Sequence, residues 1–191
     1  SSPLPARADG VPLSRLHPAE PHAYVKLWKH NAQAYADKIN GSPAPFLDNF
    51  GGRVSGEWLL AKAAQISSEA PAVWAATDRF IESGDWLVWH LTGREARGLG
   101  FAAYKAQFSA DAGYPQGLVE DLDRRLSIPL RVGSAAGPLS LEWRDLTRIQ
   151  GRATVAVAVI DSHVMLPAIG GISPGCFVGA LGTSAAYLYL S

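Results

Sequence analysis

The sequence predicts an α/β fold, and two features carry this prediction. Between about residues 22 and 126, apolar side chains recur mostly at helical spacing with alanine-rich stretches between them. An apolar run at 154–160 and a strand-turn-strand pattern at 175–191 are typical of sheet elements. Helices that precede such strands favour an α/β arrangement over a helical bundle or a β-sandwich.

The elements follow from local signals taken in chain order. Residues 1–16 predict a strand, a turn at Asp9-Gly10 and a second strand. Five helices are predicted next, over residues 22–40, 57–67, 72–80, 84–91 and 118–126. Gly93 closes the fourth helix, and the glycines and proline of 131–142 predict a loop. Because the chain begins inside a strand pattern and stops directly after a hairpin, we expect it to be a segment of a longer protein.

Composition and charge exclude several classes of partner. The 191 residues are 48% hydrophobic and carry 17 basic and 17 acidic side chains without a run of either sign. Nucleic acid or an anionic membrane would require a basic patch, so neither is expected. No stretch has the roughly 18 apolar residues of a membrane span, and the N-terminus lacks signal-peptide features. With Cys176 as its single cysteine, the chain is expected to be cytoplasmic, without a disulfide or a metal site.

Asp161 follows the apolar run 154–160 and is the first candidate for chemistry. In α/β proteins, ligands collect at the carboxyl ends of strands, which is where this carboxylate is predicted to lie. Two plainer interpretations stay open. Asp161 could cap the helix that follows it, and His163 could be an ordinary hydrogen-bonded histidine.

A tight turn, Gly182-Thr183-Ser184, joins the last two predicted strands. Such a turn exposes backbone N–H groups and hydroxyls, which suit phosphate oxygens. Alone the turn is weak evidence, because an ordinary hairpin would have the same residues. In combination with a strand-end aspartate about twenty residues earlier, it indicates a phosphoryl-transfer site.

Several stretches resemble the FGGY carbohydrate kinases and, within that family, the L-ribulokinases. The family's hinge region is similar to VAVAVIDSHVMLPAIG (155–170) and SPGCFVGALGTS (173–184). Further similar stretches are LWKH (27–30), SGEWLLAK (55–62), TDRFIESGDWLVWHLTG (77–93) and AAYKAQF (102–108). The resemblance implies an actin/hexokinase-like, ribonuclease H-like two-domain fold. Residues 1–171 would be the sugar-binding part of its N-terminal domain, and 172–191 the first β-hairpin of its C-terminal ATP-binding domain.

The resemblance also implies roles for individual residues. Asp161 would be the general base that takes a proton from the sugar hydroxyl. The turn residues Gly182, Thr183 and Ser184 would contact the nucleotide phosphates. Three sugar-binding candidates lie at positions that the family uses for its pocket: Trp28, Lys29 and Lys105. Two more are His163, two residues beyond the base, and Glu57, which follows the glycine-rich loop at 51–52 and would border the pocket.

Each sugar-binding candidate also has a simpler interpretation. Lys105 could be a solvated surface lysine, and Trp28 could be a core tryptophan. Glu57 could be a carboxylate that favours the start of a helix. His163 could hold Asp161 in place instead of lining the pocket.

The reaction that the resemblance implies is ATP-dependent phosphorylation of a ketopentose, L-ribulose to L-ribulose 5-phosphate, as in arabinose catabolism. The sugar and ATP with Mg²⁺ are the expected partners, and a homodimer is left open. A kinase for D-ribulose, xylulose or glycerol, or a non-catalytic sugar-binding remnant, remains an alternative. The family's Asp-x-Gly-Thr phosphate loop and adenosine-binding domain are not in these residues, so the segment alone is expected to be incomplete for ATP turnover. In addition, LWKHN differs from the family's usual Lys-Asp-His after the tryptophan, which removes a pocket carboxylate.

Overall fold

Short helices alternate with short strands along the chain. The computed structural model describes residues 1–170, 173–182 and 185–190, and within them the strands form three two-stranded antiparallel sheets. The chain divides into two units, Ser1–Ala158 and Val159–Ser191. The mixed α/β class predicted from the sequence is confirmed. The predicted boundary between residues 171 and 172 refers to the domains of a two-domain kinase and stays a prediction.

The first strand takes its partner from much later in the chain. Strand β1, Pro3–Ala6, pairs with β2, Arg79–Glu82. The predicted turn is present, with Gly10 at φ +83, but no second strand follows it. Pro12 makes one isolated bridge to Ala6, and the chain continues as a 3₁₀ helix, Leu13–Arg15. Proline lacks the N–H that a longer ladder would need.

The predicted helix at 22–40 forms only at its end. A 3₁₀ turn at Pro21–Ala23 leads into an irregular segment, and α1 spans Gln33–Asn40. Contacts with distant parts of the chain replace the helix: the Lys26 N–H donates to the Pro3 carbonyl at 2.8 Å, and the Ala32 N–H to the Gly56 carbonyl at 2.9 Å. The helix prediction is therefore wrong for residues 24–32.

Two consecutive helices contribute buried side chains to the largest hydrophobic core of the first unit. Helix α2, Leu59–Glu69, confirms the helix predicted at 57–67, and α3 spans Pro71–Ala76. The helix predicted at 72–80 ends early because the residues after it pair with β1 as β2. The α2 side chains with no exposed surface are Leu60, Ala61, Lys62, Ala63 and Ile66.

Helix α4, Ser83–Thr92, confirms the helix predicted at 84–91. It ends at Gly93, which adopts the left-handed conformation with φ +75. Helix α5, Leu99–Lys105, follows. The helix predicted at 118–126 is wrong, since only Asp123–Arg125 form a 3₁₀ turn there. Asp121 has a left-handed φ of 53, which interrupts a right-handed helix.

The first unit ends with a second small sheet. Strand β3, Ala135–Pro138, pairs with β4, Thr154–Ala156, and α6, Leu141–Thr147, lies between them in sequence. The predicted loop at 131–142 therefore contains a strand and the start of a helix. The strand predicted at 154–160 stops at Ala156, so irregular backbone separates it from Asp161.

The second unit contains a helix and a hairpin. Helix α7 spans Asp161–Ala168, and strands β5, Phe177–Leu181, and β6, Ala185–Tyr189, pair with each other. Both the helix after Asp161 and the hairpin are as predicted. In the part of the chain that the structure describes, every helix is too short or too polar to cross a membrane.

Candidate active site

Lys105 lies at the C-terminal end of α5, and two aromatic side chains, Tyr104 and Trp58, connect its surroundings to those of Glu57. Its ammonium is 4.4 Å from the centre of the Tyr104 ring, and that ring lies 5.2 Å, centroid to centroid, from Trp58. Glu57 directly precedes Trp58. Both Lys105 and Glu57 also act electrostatically on the buried ammonium of Lys62. The structure therefore brings these two sugar-binding candidates together, and Lys105 is half-buried, unlike a freely solvated lysine.

Glu57 does not start a helix. Helix α2 begins at Leu59, after Trp58 at the N-cap position. Gly56, just before Glu57, lies so close to the segment 31–33 that a Cβ atom would be 2.0 Å from Asn31 Oδ1 and 2.7 Å from the Gln33 backbone nitrogen. Only glycine fits at this distance. The close approach fixes Glu57 beside the segment that follows Trp28 and Lys29 in the chain.

Trp28 and Lys29 lie in the irregular segment before α1, not on a helix. The Trp28 side chain is 42% exposed, so the core interpretation of this residue is wrong. Lys29 is also exposed. The carbonyl of Leu27, directly before Trp28, accepts a 2.8 Å hydrogen bond from Lys62 Nζ. This hydrogen bond connects the backbone just before Trp28 and Lys29 to α2.

Two buried charges beneath this surface are absent from the sequence-based candidates. Lys62 is 0% exposed and Glu82 is 3% exposed. Lys62 Nζ donates to the carbonyl of Ser1 at 2.7 Å, and Glu82 accepts hydrogen bonds from the Ser1 hydroxyl and, at 2.7 Å, from the Ser2 N–H. Burial lowers the pKa of the Lys62 ammonium to about 8, against the opposing effects of Glu82 and Glu57.

A signal for Lys62 was present in the sequence. It lies three residues after Leu59 and four before Ile66, so helical spacing places it on the apolar side of α2. A lysine in that position has to find buried acceptors, because an unpaired buried ammonium is very costly. Glu82 had no comparable signal, since the strand that buries it was predicted as helix or left unassigned.

A buried carboxylate on α4 fixes the start of α5. Asp85 is 2% exposed and accepts a 2.9 Å hydrogen bond from the Gly98 N–H. Burial raises the pKa of Asp85 to about 7. A Cβ atom on Gly98 would lie 2.2 Å from the carbonyl oxygen of Ala158, and the neighbouring Arg97 donates to the Phe80 carbonyl at 2.7 Å. Because α5 runs from this point to Lys105, these contacts determine where the lysine lies.

In the second unit, Asp161 is the first residue of α7 and is exposed. Its Oδ1 accepts a 2.7 Å hydrogen bond from the N–H of Ser162, and the N-cap position belongs to Ile160. Asp161 is therefore not the N-cap residue, although its carboxylate does bind one free N–H of the first turn, as the capping interpretation predicts. His163 lies in the same helical turn and is partly exposed. The catalytic role of Asp161 and the sugar-binding role of His163 stay predictions.

Gly182 is exposed at the turn between β5 and β6, where Leu181 and Ala185 pair across the hairpin. Thr183 and Ser184, the other two predicted phosphate-binding residues, lie outside the described residues. The structure therefore provides the hairpin that the phosphate prediction needs, and the prediction itself stays open.

A cavity of about 920 Å³ opens next to α5, on the side of Tyr104. Its aromatic lining consists of Phe46, Phe50, Tyr104, Phe108 and Tyr114. None of the predicted sugar-binding residues is among the described residues that line it, so we do not assign it to the sugar. Over residues 1–170, 173–182 and 185–190, no group of three or more His, Cys, Asp or Glu side chains is placed to hold a metal ion.

Known proteins are similar to this chain in sequence and in fold. It is 38% identical over 200 residues to the ribulokinase of Mycolicibacterium smegmatis, an alignment that covers 96% of this chain and 35% of that protein. It is 37% identical over 204 residues to the ribulokinase of Bacillus licheniformis, covering 98% of this chain and 37% of that protein. The chain is therefore similar to these ribulokinases over nearly all of its own length. No family model matches it.

Solved structures of FGGY kinases confirm the predicted actin/hexokinase-like fold. The xyloylose kinase of Brucella ovis matches with a TM-score of 0.78 at 17% identity, over 97% of this chain and 37% of that one. The xylulose kinase of Rhodospirillum rubrum matches with a TM-score of 0.68 at 20% identity, over 80% of this chain and 32% of that one. At these identities the likeness establishes the fold alone. The chain spans about a third of the length of the curated relatives that it matches.

Proposed function

We propose that this chain is the sugar-binding part of a kinase that transfers the γ-phosphoryl group of ATP to L-ribulose, giving L-ribulose 5-phosphate. The observation that carries the proposal is the identity of 37% to 38% with ribulokinases over nearly the whole chain. The chemistry of the residues around Lys105 supports it.

The side chains of the first unit suit a polyhydroxylated substrate. Lys105 is a charged hydrogen-bond donor and Glu57 is a charged acceptor, and a sugar hydroxyl can bond to either of them. The exposed ring of Trp28 offers an apolar surface for the carbon face of the sugar. These features support sugar binding in general, and the choice of L-ribulose depends on the relatives.

The proposed reaction is an in-line displacement at the γ-phosphorus. Asp161 accepts the proton of the terminal hydroxyl, and the hydroxyl oxygen forms a bond to the γ-phosphorus. The bond between that phosphorus and the oxygen bridging to the β-phosphate breaks, which releases ADP. Gly182, Thr183 and Ser184 would bind phosphate oxygens through their N–H groups and hydroxyls.

ATP is the proposed cosubstrate, and Mg²⁺ is expected to accompany it. The residues that the structure describes form no metal site of their own, so no step is assigned to the metal. The division into a sugar-binding part at 1–171 and an ATP-domain hairpin at 172–191 belongs to the same proposal. A cytoplasmic location, a role in arabinose catabolism and a homodimeric assembly belong to it as well.

The test is sugar-dependent ADP release by the complete gene product, with L-ribulose, D-ribulose, D-xylulose and glycerol offered in parallel. We expect the highest kcat/KM with L-ribulose. Preference for another member of the panel would keep the kinase activity and replace the substrate. If no ADP is released while a sugar still binds, the protein is a non-catalytic sugar-binding protein and the proposal is wrong.

A further inference from the structure

We propose that Lys62 is a positioning residue of the sugar site, which holds the segments around Ser1 and Leu27 in place beside Lys105. This inference rests on the proposed function. It assigns a role to a side chain that the reaction itself does not use, and it explains how the irregular backbone before Trp28 obtains a fixed geometry.

The hydrogen bonds of Lys62 connect three separate parts of the chain. From α2, its Nζ donates to the carbonyls of Ser1 at 2.7 Å and Leu27 at 2.8 Å, and more weakly to that of Lys26 at 3.4 Å. An ammonium has three protons, so these carbonyls account for all of its donors. None of these bonds contributes to a helix or a strand. Their effect is to fix irregular backbone next to the sugar-binding candidates.

Glu82 binds the same segment as Lys62. It accepts from the Ser1 hydroxyl and the Ser2 N–H, while Lys62 binds the Ser1 carbonyl. A buried positive charge and a buried negative charge therefore bind consecutive backbone groups of one segment. Glu82 also opposes, through its charge, the effect of burial on Lys62.

If only the stability of the fold mattered, a lysine would be an unfavourable side chain at this position. Burying an ammonium costs free energy, and an apolar side chain of similar volume often stabilises a core as well or better. Lys62 is surrounded on α2 by Leu59, Ala63 and Ile66, where an apolar side chain would fit the pattern. What an apolar side chain could not do is bind the Ser1 and Leu27 carbonyls. The lysine is therefore better explained by its hydrogen bonds to the segments around Ser1 and Leu27 than by packing in the core.

The experiment compares Lys62→Met, Lys62→Arg and Ile66→Val in the complete gene product. Methionine keeps the length of the side chain but removes the donors, whereas arginine keeps a charged donor. Ile66 is also 0% exposed and lies one turn further along α2, so Ile66→Val controls for a loss of core packing. For each variant, kcat and KM for L-ribulose, sugar affinity from tryptophan fluorescence and the thermal midpoint Tm are measured.

We expect Lys62→Met to raise KM and weaken sugar affinity by about tenfold, because the backbone segments beside the sugar site lose the charged hydrogen bonds that hold them. The value of kcat should stay within about threefold of the wild type. Lys62→Arg should restore part of the affinity. Ile66→Val should lower Tm and leave KM within about twofold. The inference is overturned if Lys62→Met changes Tm alone, or if Ile66→Val raises KM as much as Lys62→Met does.

A pH profile gives a second readout if Lys62→Met does not fold. Burial lowers the pKa of Lys62 to about 8, so above this pH the amine has one donor fewer for its carbonyls. KM should rise as the pH passes about 8, and Lys62→Arg should remove this rise. The charged groups that face Lys62 are Glu82, Glu57, Lys105 and Lys26.

The wild-type protein, measured alongside, separates the two proposals. If the wild type phosphorylates L-ribulose but KM in Lys62→Arg keeps the same pH dependence, the titrating group is another one and the inference alone is wrong. If the wild type neither binds nor phosphorylates any sugar of the panel, the proposed function is wrong, and the inference is wrong with it.

Discussion

The candidate residues of the first unit and Asp161 of the second unit are held in place in different ways. Lys105 and Trp28 belong to segments that two buried side chains, Asp85 and Lys62, hold through hydrogen bonds with backbone groups from distant parts of the chain. Asp161 is exposed at the start of α7, a helix without a buried residue, and its carboxylate accepts from the adjacent amide. The proposed sugar-binding residues of the first unit therefore have a geometry that these contacts determine, whereas Asp161 has no such support within its helix. Substitutions in the two units should separate sugar affinity from turnover.

The largest effect is expected at Asp161, the proposed general base. Asp161→Asn keeps the shape of the side chain but removes the proton acceptor, so kcat should fall by at least about a hundredfold. KM for the sugar should stay within about threefold, because the proposed sugar-binding residues Lys105 and Trp28 are held by contacts within the first unit. Steady-state kinetics of the complete gene product measure both quantities. Asp145→Asn, at another exposed carboxylate on a short helix, is the control, and a wild-type kcat in Asp161→Asn would remove the assignment of the base.

The next largest effect is expected at Lys105. Lys105→Met removes the charged donor that we propose binds the sugar hydroxyls, so KM should rise by roughly 10-fold to 100-fold. Lys38 provides a matched control, because its ammonium lies 4.8 Å from the centre of the Tyr35 ring, much as that of Lys105 lies 4.4 Å from the Tyr104 ring. Lys38→Met should leave KM within about twofold. Equal effects in the two variants would mean that the lysine acts through general charge and not through contact with the sugar.

Local patterns in the sequence were sufficient where an element is held by its own residues. The apolar spacing of α2, the glycine that ends α4 and the strand-turn-strand pattern of the last hairpin all gave correct elements. They were insufficient where distant hydrogen bonds decide the backbone. The segment 24–32 has helical spacing, yet its N–H and carbonyl groups bond to Pro3, Gly56 and Lys62.

The candidate site shows the same division. The resemblance to FGGY kinases pointed to Lys105 and Glu57, which the structure places on neighbouring surfaces. The supporting residues, Lys62 and Glu82, were not found. Their role depends on which backbone groups meet them in the folded chain, and helical or strand periodicity contains no information about that.

A third prediction concerns the support of α5. Gly98→Ala would place a Cβ atom 2.2 Å from the Ala158 carbonyl oxygen, so it should lower the free energy of unfolding by about 1–3 kcal/mol and raise KM by displacing Lys105. Gly100 is the control, since its nearest neighbour would be Val132 Cγ2 at 3.7 Å. Gly100→Ala should stabilise the protein by up to about 1 kcal/mol, as alanine favours helix over glycine. Urea denaturation of both variants checks the prediction, which fails if Gly98→Ala is as stable as Gly100→Ala.

The smallest effect on activity is expected at Asp85, where the informative quantity is stability against pH. Burial raises the pKa of Asp85 from 3.8 to about 7, so between about pH 4 and 7 the folded state holds a proton that the unfolded state has released. The contribution of this group to the free energy of unfolding therefore falls as the pH rises through that range.

Asp85→Asn keeps an oxygen for the Gly98 N–H and cannot titrate. Its stability relative to the wild type should therefore increase from pH 5 to pH 8, with KM within about twofold. Urea denaturation at these pH values measures the difference, with pH 5, where the wild-type carboxyl is protonated, as the reference. A difference that stays constant would mean that Asp85 is ionised throughout, and that the start of α5 is held by a charged hydrogen bond.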